Sequence, residues 1–219
     1  MTAKMMLDGS LPNQIANFIT EQVVSQKFKP GEQLREGELA EQFGTSRAPV
    51  REAFYILEVI GLVERLPRRG CFVKEYSYRE LSDLFELRSL MEGMALERFD
   101  PQRSADHLQK MQEVVSSMRE RVAQNNQDEY SRLNQIFHES IIRFRDSKLI
   151  ETTYFRISTP LRVLVNISFW ENKSMERSLK EHEQIVEALL REDIGGAKTI
   201  LEKHNLATIR RLEKYFKTS

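Results

Sequence analysis

Only one cysteine, Cys71, occurs in 219 residues, which excludes an internal disulfide framework and a zinc module built from several thiolates. No apolar run approaches the roughly 18 residues that span a bilayer. The first ten residues hold one lysine and no apolar core, so they do not read as a signal peptide. The expected compartment is the cytoplasm, with no membrane partner. Neither sign of charge prevails, at 33 basic and 33 acidic side chains. That excludes a globally basic nucleic-acid coat and gives no case for a membrane-surface protein. Residues 1–76 are balanced as well, with 10 of each. Any nucleic-acid contact must rest on the placement of particular arginines.

Glycine and proline are scarce beyond the first third. Gly9, Pro12, Pro30, Gly31, Gly37, Gly44, Pro49, Gly61, Pro67 and Gly70 are followed only by Gly93, Pro101, Pro160, Gly195 and Gly196. Short elements with many turns therefore precede long helices. The change falls near Tyr76 to Tyr78 and predicts two domains, 1–76 and 77–219.

In the first domain, residues 11–27 read as a helix with Ile15, Phe18, Ile19 and Val23 inward, Ser10 as N-cap and Pro12 in the first turn. A turn at Lys29-Pro30-Gly31 leads to a short helix at 36–43, stopped by Gly44. Ser46 caps the next helix, which runs to about Ile60 with Val50, Ala53, Phe54 and Leu57 as its buried stripe. Two extended runs, 62–66 and 71–76, flank Pro67-Arg68-Arg69-Gly70 and read as a hairpin with a basic tip. Three helices and a two-stranded wing make a winged helix-turn-helix. Helices at about 78–99, 104–124, 127–144, 148–169, 174–191 and 194–216 follow. They form an all-α bundle whose interior can hold a ligand. The fold class is mainly α, with one small β-hairpin.

Arg47 and Arg51 stand four apart on the first turns of the recognition helix, where arginine can bond base edges or phosphate. Ser46 marks a helix N-terminus suited to a phosphate. Arg68 and Arg69 at the wing tip would reach a minor groove or flanking phosphate, and Gly70 permits close approach. Arg65 and Arg68 taken alone would read as solvated surface.

No Gly-x-Ser-x-Gly elbow and no phosphate-cradling glycine loop occurs. His138-Glu139 and His182-Glu183 begin like the zinc-protease helix motif, but Ile142 and Val186 replace its second histidine. A metal-dependent hydrolase is therefore a weak rival, and no enzyme is expected. Phe155, Phe169, Trp170, Met91, Met94, Met111 and Met118 read as packing, and His107 as exposed.

The segment from Lys29 to Val73 carries Pro30-Gly31, Leu39-Ala40, Phe43-Gly44, Ser46-Arg47-Ala48-Pro49-Val50-Arg51-Glu52-Ala53, Gly61-Leu62-Val63 and Arg69-Gly70-Cys71-Phe72-Val73. This pattern resembles the winged-helix domain of the GntR family of bacterial transcriptional regulators. Leu84-Phe85-Glu86-Leu87-Arg88, Leu90-Met91-Glu92, Phe137-His138, His182-x-x-Ile185 and His204 resemble the helical FCD effector domain of the FadR subfamily, in its shorter VanR-like group.

The resemblance implies a homodimeric, ligand-responsive regulator, most often a repressor, on a palindromic double-stranded operator. It adds Arg35, Ala48 and Pro49 to the DNA-contacting residues Ser46, Arg47, Arg51, Arg68, Arg69 and Gly70. Gly37 stands where some members have arginine, so base preference does not transfer. It implies a divalent metal, zinc or nickel, at Asn134, His138, His182 and His204, with Asn134 in place of the usual aspartate. An amide oxygen carries no charge, so the site binds metal more weakly, demands an anionic ligand, or has lost the metal and uses its histidines as hydrogen-bond donors to the effector. It further implies a small carboxylate effector at Arg88, with Arg162 and Asn166 as weaker pocket residues. The competing expectation is a constitutive DNA-binding protein whose bundle only dimerises.

Overall fold

A computed structural model describes residues 9–169, 171 and 173–218, so Trp170 lies outside the described residues. By contacts the chain divides into two compact units: the described residues up to 76 with 155–163, and residues 77–154 with those from 164 onward.

In the first unit, α1 (Leu11–Val24) packs Ile15, Ala16, Ile19 and Val23 against Val50, Ala53, Phe54 and Leu57 of α3 (Arg47–Val59). α1 ends at Val24, three residues before the expected stop, where Lys27 and Phe28 N–H groups turn back to Gln22 O. α2 (Glu36–Gln42) closes on Gly44 at φ +59°, with Gly44 N–H donating to Glu41 O and Thr45 N–H to Ala40 O. This left-handed cap lets the chain reverse into α3 within a few residues. Ser46 takes the N-cap position of α3, but its side chain makes no capping bond.

The wing has a strand that periodicity did not disclose. β1 (Gln33–Leu34) pairs antiparallel with β3 (Gly70–Val73), which also pairs with β2 (Val63–Leu66), giving the order β1-β3-β2. Two residues are too few to show alternation. Residues 155–163, expected in the second domain, belong by contact to the first unit. Arg162 there makes two hydrogen bonds of 2.7 Å to the Glu21 carboxylate.

The second unit is helical: α4 (Tyr78–Leu96), α5 (Ala105–Ala123), α6 (Gln127–Arg143), parts of α7 (Lys148–Ser168), α8 (Ser174–Leu190) and α9 (Ile194–Thr218). α4 starts on a capping box, Ser77 with Glu80. Phe85, Met111, Met118, Phe137, Ile141 and Ile185 fill its core. Met94, expected to pack, is instead 41% exposed, in one stripe with Leu87 and Leu90. No described helix is long and apolar enough to cross a membrane.

Candidate DNA-reading face and buried histidine site

The exposed side of α3 presents Arg47, Ala48, Arg51 and, one turn further, Tyr55 at 61% exposure. α3 keeps this face outward because its other face is the apolar stripe spent on α1. Arg47 passes beside Gly37: a Cβ built on that glycine would lie 3.8 Å from Arg47 Nη2. Arg51 Nε stands 3.6 Å from Glu36 Oε2, and Arg35 Nε 3.5 Å from Glu38 Oε1. All four are solvent-facing, so these pairs are weak and exchangeable. Pro49 is half-buried at the foot of the helix.

At the wing tip, Arg68 adopts φ +62° and Gly70 φ +108°. Gln33 Nε2 donates to Arg69 O at 2.8 Å, so the unforeseen strand holds the tip. Arg69 lies over the Phe72 ring at 5.7 Å. Between α3 and the wing is a groove of about 320 Å³, lined by Glu36, Arg51, Phe54, Arg65, Arg68 and Cys71 among others. Eight of the nine sequence-selected positions are exposed, all but Pro49, and Arg51, Arg68 and Gly70 line the same groove. Cys71 is buried under it, with burial pushing its thiol up to about 12, so it serves packing.

The second unit gathers its polar groups inside. Three helices each present a polar ladder on one face: Tyr130, Asn134 and His138 on α6; Ser174, Ser178 and His182 on α8; His204, Thr208 and Arg211 on α9. All nine side chains are buried. The three histidines meet, with one ligand atom of each within 4.8 Å of the others.

Carboxylates fix two of the rings. His138 Nδ1 lies 2.9 Å from Glu92 Oε1, and His204 Nδ1 2.7 Å from Glu181 Oε2. Burial opposes charge on Glu92, but Arg88 and His138 override it and hold the carboxyl well below the usual range. Glu181 is lowered too: burial opposes its charge, and the His204 bond outweighs that. Ionised carboxylates only accept, so both imidazoles carry the proton on Nδ1 and leave Nε2 as a lone pair. His138 Nε2 and His182 Nε2 face each other at 3.2 Å. Without a cation the hydrogen between them sits on His182 Nε2 and its buried Nδ1 has no partner; to ligate through Nε2 that ring would carry its proton on Nδ1 instead.

Burial, reinforced by Arg88, pulls His138 down to about 3. Burial and the neighbouring histidines take His182 well below 6.5, and burial lowers His204 against the pull of Glu181. Neutral imidazole is the metal-binding form. The 3.2 Å separation is close to the edge of about 3.3 Å expected for two nitrogen ligands on tetrahedral zinc. Asn134 Oδ1 is buried and unpartnered, free to add an oxygen donor. This donor set fits a divalent cation.

Arg88 is bonded to a core carboxylate and still has a nitrogen to offer. Its Nε donates to Glu92 Oε1 at 3.0 Å, while Nη2 is buried without a partner. Tyr154 Oη and Asn205 Nδ2 also donate to Glu92, at 2.8 and 3.1 Å. The two weaker pocket residues lie elsewhere. Arg162 is bonded to Glu21 in the first unit, so its guanidinium faces a carboxylate of α1. Asn166 bonds Gln127 and Asp128, in the first turn of α6. Their four-residue spacing does not bring them to one pocket. Phe169 packs edge-on to Tyr130 at 5.1 Å; Phe155 and His107 are half-buried, the latter against Phe144.

Residues 11–73 match the family model described as bacterial regulatory proteins, gntR family, and residues 83–207 match the FCD domain. The chain belongs to the GntR family. Its winged helix and FCD bundle make it a DNA-binding transcriptional regulator, and it is not an enzyme. The gluconate operon transcriptional repressor of Bacillus subtilis is 25% identical over 196 residues, covering 87% of this chain and 80% of the relative. Another Bacillus subtilis protein, the HTH-type regulator YdhC, is 25% identical over 87% of this chain and 86% of its own. The solved structure of Escherichia coli McbR/YncC shares the fold, with a TM-score of 0.79 at 21% identity over 95% of this chain and all of that one.

Within this GntR-family chain the partners of the histidines were the least visible residues. Glu92 had a sequence signal, its i, i+4 spacing from Arg88 on one helix. Glu181 had none, because its partner His204 lies 23 positions away on the next helix. Tyr55 was hidden by being aromatic, a type that more often packs.

Proposed function

We propose that the protein is a homodimeric repressor that releases a palindromic operator when a small organic acid enters the FCD bundle. The reading is carried by the convergence of three neutral imidazoles from three helices, two of them oriented by buried or half-buried carboxylates. His138, His182, His204 and the Asn134 amide would hold zinc or nickel. The cation would offer an anionic ligand a Lewis-acid anchor that three imidazoles and an amide leave uncompensated. Arg88 Nη2 would meet the same carboxylate, its Nε staying with Glu92. The repressor named for the gluconate operon ties that relative to a hydroxylated acid, which supports an organic-acid effector here.

On the DNA side, Arg47 and Arg51 would read base edges in the major groove. Arg35, Ser46, Ala48 and Pro49 would set the helix against phosphate, and Arg68, Arg69 and Gly70 would carry the wing contact. Glu36 must release Arg51 for this, at little cost because the pair is exposed. The exposed stripe Leu87, Leu90 and Met94 on α4 supports a dimer, since contiguous apolar surface marks an interaction site.

Metal content by plasma mass spectrometry, on untagged protein beside Asn134→Asp, tests the site. About one divalent ion per chain in the wild type is the expected result. Metal only in the aspartate variant would mean that the amide has silenced the site, and metal in neither would discard it. Operator footprinting with and without candidate acids tests coupling, expected at about 5–150-fold in affinity. Affinity unmoved by every acid that binds would favour a constitutive DNA-binding protein.

A further inference from the structure

Among the described residues three arginines are buried, and two have a carboxylate bonded to them: Arg88 with Glu92 and Arg162 with Glu21. Arg211 is the exception. It is 6% exposed, its Nε is unpartnered, and its one hydrogen bond among the described residues runs from Nη2 to Thr208 Oγ1 at 2.9 Å. The carboxylates in its field are engaged elsewhere. Glu181 holds His204, while Glu171 faces Arg177 and Lys214. A buried guanidinium with no carboxylate bonded to it is costly, and such a group calls for an occupant.

Other orphans share its surroundings. Ser174 Oγ, 1% exposed, has no partner, while the equally buried Ser178 hydroxyl and Tyr130 phenol interact with each other, the phenol also standing within the field of Arg211. These are the lower rungs of the ladders whose upper rung is His138, His182 and His204. Arg211 follows His204 by seven residues, about 10 Å along the helix axis. Helical side chains lean toward the helix N-terminus, here toward His204, as the bond to Thr208 shows. Both side chains lean the same way, but arginine is the longer, so its guanidinium lies nearer the imidazole than the axial rise, and a chain of about five or six carbons would span the remainder. Arg211 also lies beyond the residues that match the FCD model, which end at 207.

We propose that Arg211, with Ser174, Ser178 and Tyr130, is a second anion-binding end of the ligand site, and that the effector is a hydroxylated acid with an anionic group at each end. The proposal rests on the reading that an acid binds at the histidines. One carboxylate would lie at the histidine rung, the other would form charge-assisted bonds with Arg211, and the hydroxyls between would pair with the serines.

Calorimetric titration of the full chain, zinc-loaded and after chelation, with glucarate, gluconate and adipate tests it. Glucarate has both carboxylates and the hydroxyls, gluconate lacks one carboxylate, and adipate lacks the hydroxyls. Glucarate is expected to bind at least about tenfold tighter than either. Arg211→Gln should bring glucarate to the gluconate level while metal content and gluconate affinity stay as in the wild type. Arg211→Lys, which keeps the charge, should restore part of the preference and serves if the glutamine variant does not fold. Equal binding of glucarate and gluconate by the wild type overturns the second anion end but leaves the acid at the histidines standing. Equal loss of both ligands in Arg211→Gln overturns it too, because the residue would then be structural. Failure of all three acids to bind removes the effector reading along with it.

Discussion

The two units keep the arginines proposed for function in opposite conditions. On the proposed DNA-reading face Arg35, Arg47, Arg51, Arg68 and Arg69 are solvent-facing, and the carboxylates beside Arg35 and Arg51 stand at 3.5–3.6 Å. In the bundle Arg88 and Arg211 are dry, Arg88 on the Glu92 carboxylate that also holds His138 and Arg211 at the other end of the polar ladders. A surface that must meet a polyanion needs charge that can be surrendered to it quickly. An interior that must recognise one small acid needs charge that water cannot screen. The difference predicts that substitutions on the first unit cost binding and little stability, and that those in the second cost stability first.

Glu92→Ala should have the largest effect. It strips the acceptor from Arg88, His138, Tyr154 and Asn205, and removing one partner of a buried pair costs about 3–5 kcal/mol. Denaturant unfolding would show it, and a midpoint unchanged from the wild type would refute the buried network.

Acid should expose the same contrast. The three histidines are held below 6.5 in the folded protein, so the unfolded chain takes up protons first as pH falls. Their contribution is complete above about pH 6.5 and is lost below it, down toward pH 3 for His138. Each uncompensated proton steepens the fall by about 1.4 kcal/mol per pH unit. Glu92, whose folded pKa is depressed, adds a further loss below about pH 4.5. Thermal unfolding followed across pH would report both; a flat profile between pH 6.5 and 4 would contradict neutral buried imidazoles.

Effects in the first unit are smaller and fall on DNA. Arg47→Ala is expected to lose about 1–3 kcal/mol of operator discrimination with an unfolding midpoint like that of the wild type. Arg69→Ala should weaken all sequences alike and lower the salt slope by about one. Glu36→Gln, which frees Arg51, should raise DNA affinity by less than about 1 kcal/mol. A fluorescence titration across salt concentrations separates the three, and discrimination retained in Arg47→Ala would move base reading elsewhere.

What could be read from the sequence follows the same division. Val50, Ala53, Phe54 and Leu57 mark the buried face of α3, and with it the outward position of Arg47 and Arg51. Every bundle helix starts and ends within about three residues of its periodic pattern. The interior was less legible because it is built across helices. His138 and His182 come together over 44 positions, and His204 finds Glu181 over 23. No local spacing encodes these meetings. Arg162 and Asn166 show the converse, since correct spacing on one helix did not give them one destination. Gln33 escaped for a third reason: a two-residue strand has no period to detect.

The inert thiol at Cys71 offers a practical consequence. At about 12 its pKa keeps it protonated and unreactive toward alkylating labels at neutral pH, and it is the chain's one cysteine. A cysteine substituted for exposed Glu64 on β2 would therefore be the sole reactive thiol. One spin label per chain, placed there without first deleting anything, would turn the distance between the two wings of the proposed dimer into a quantity that can be followed as acids are added.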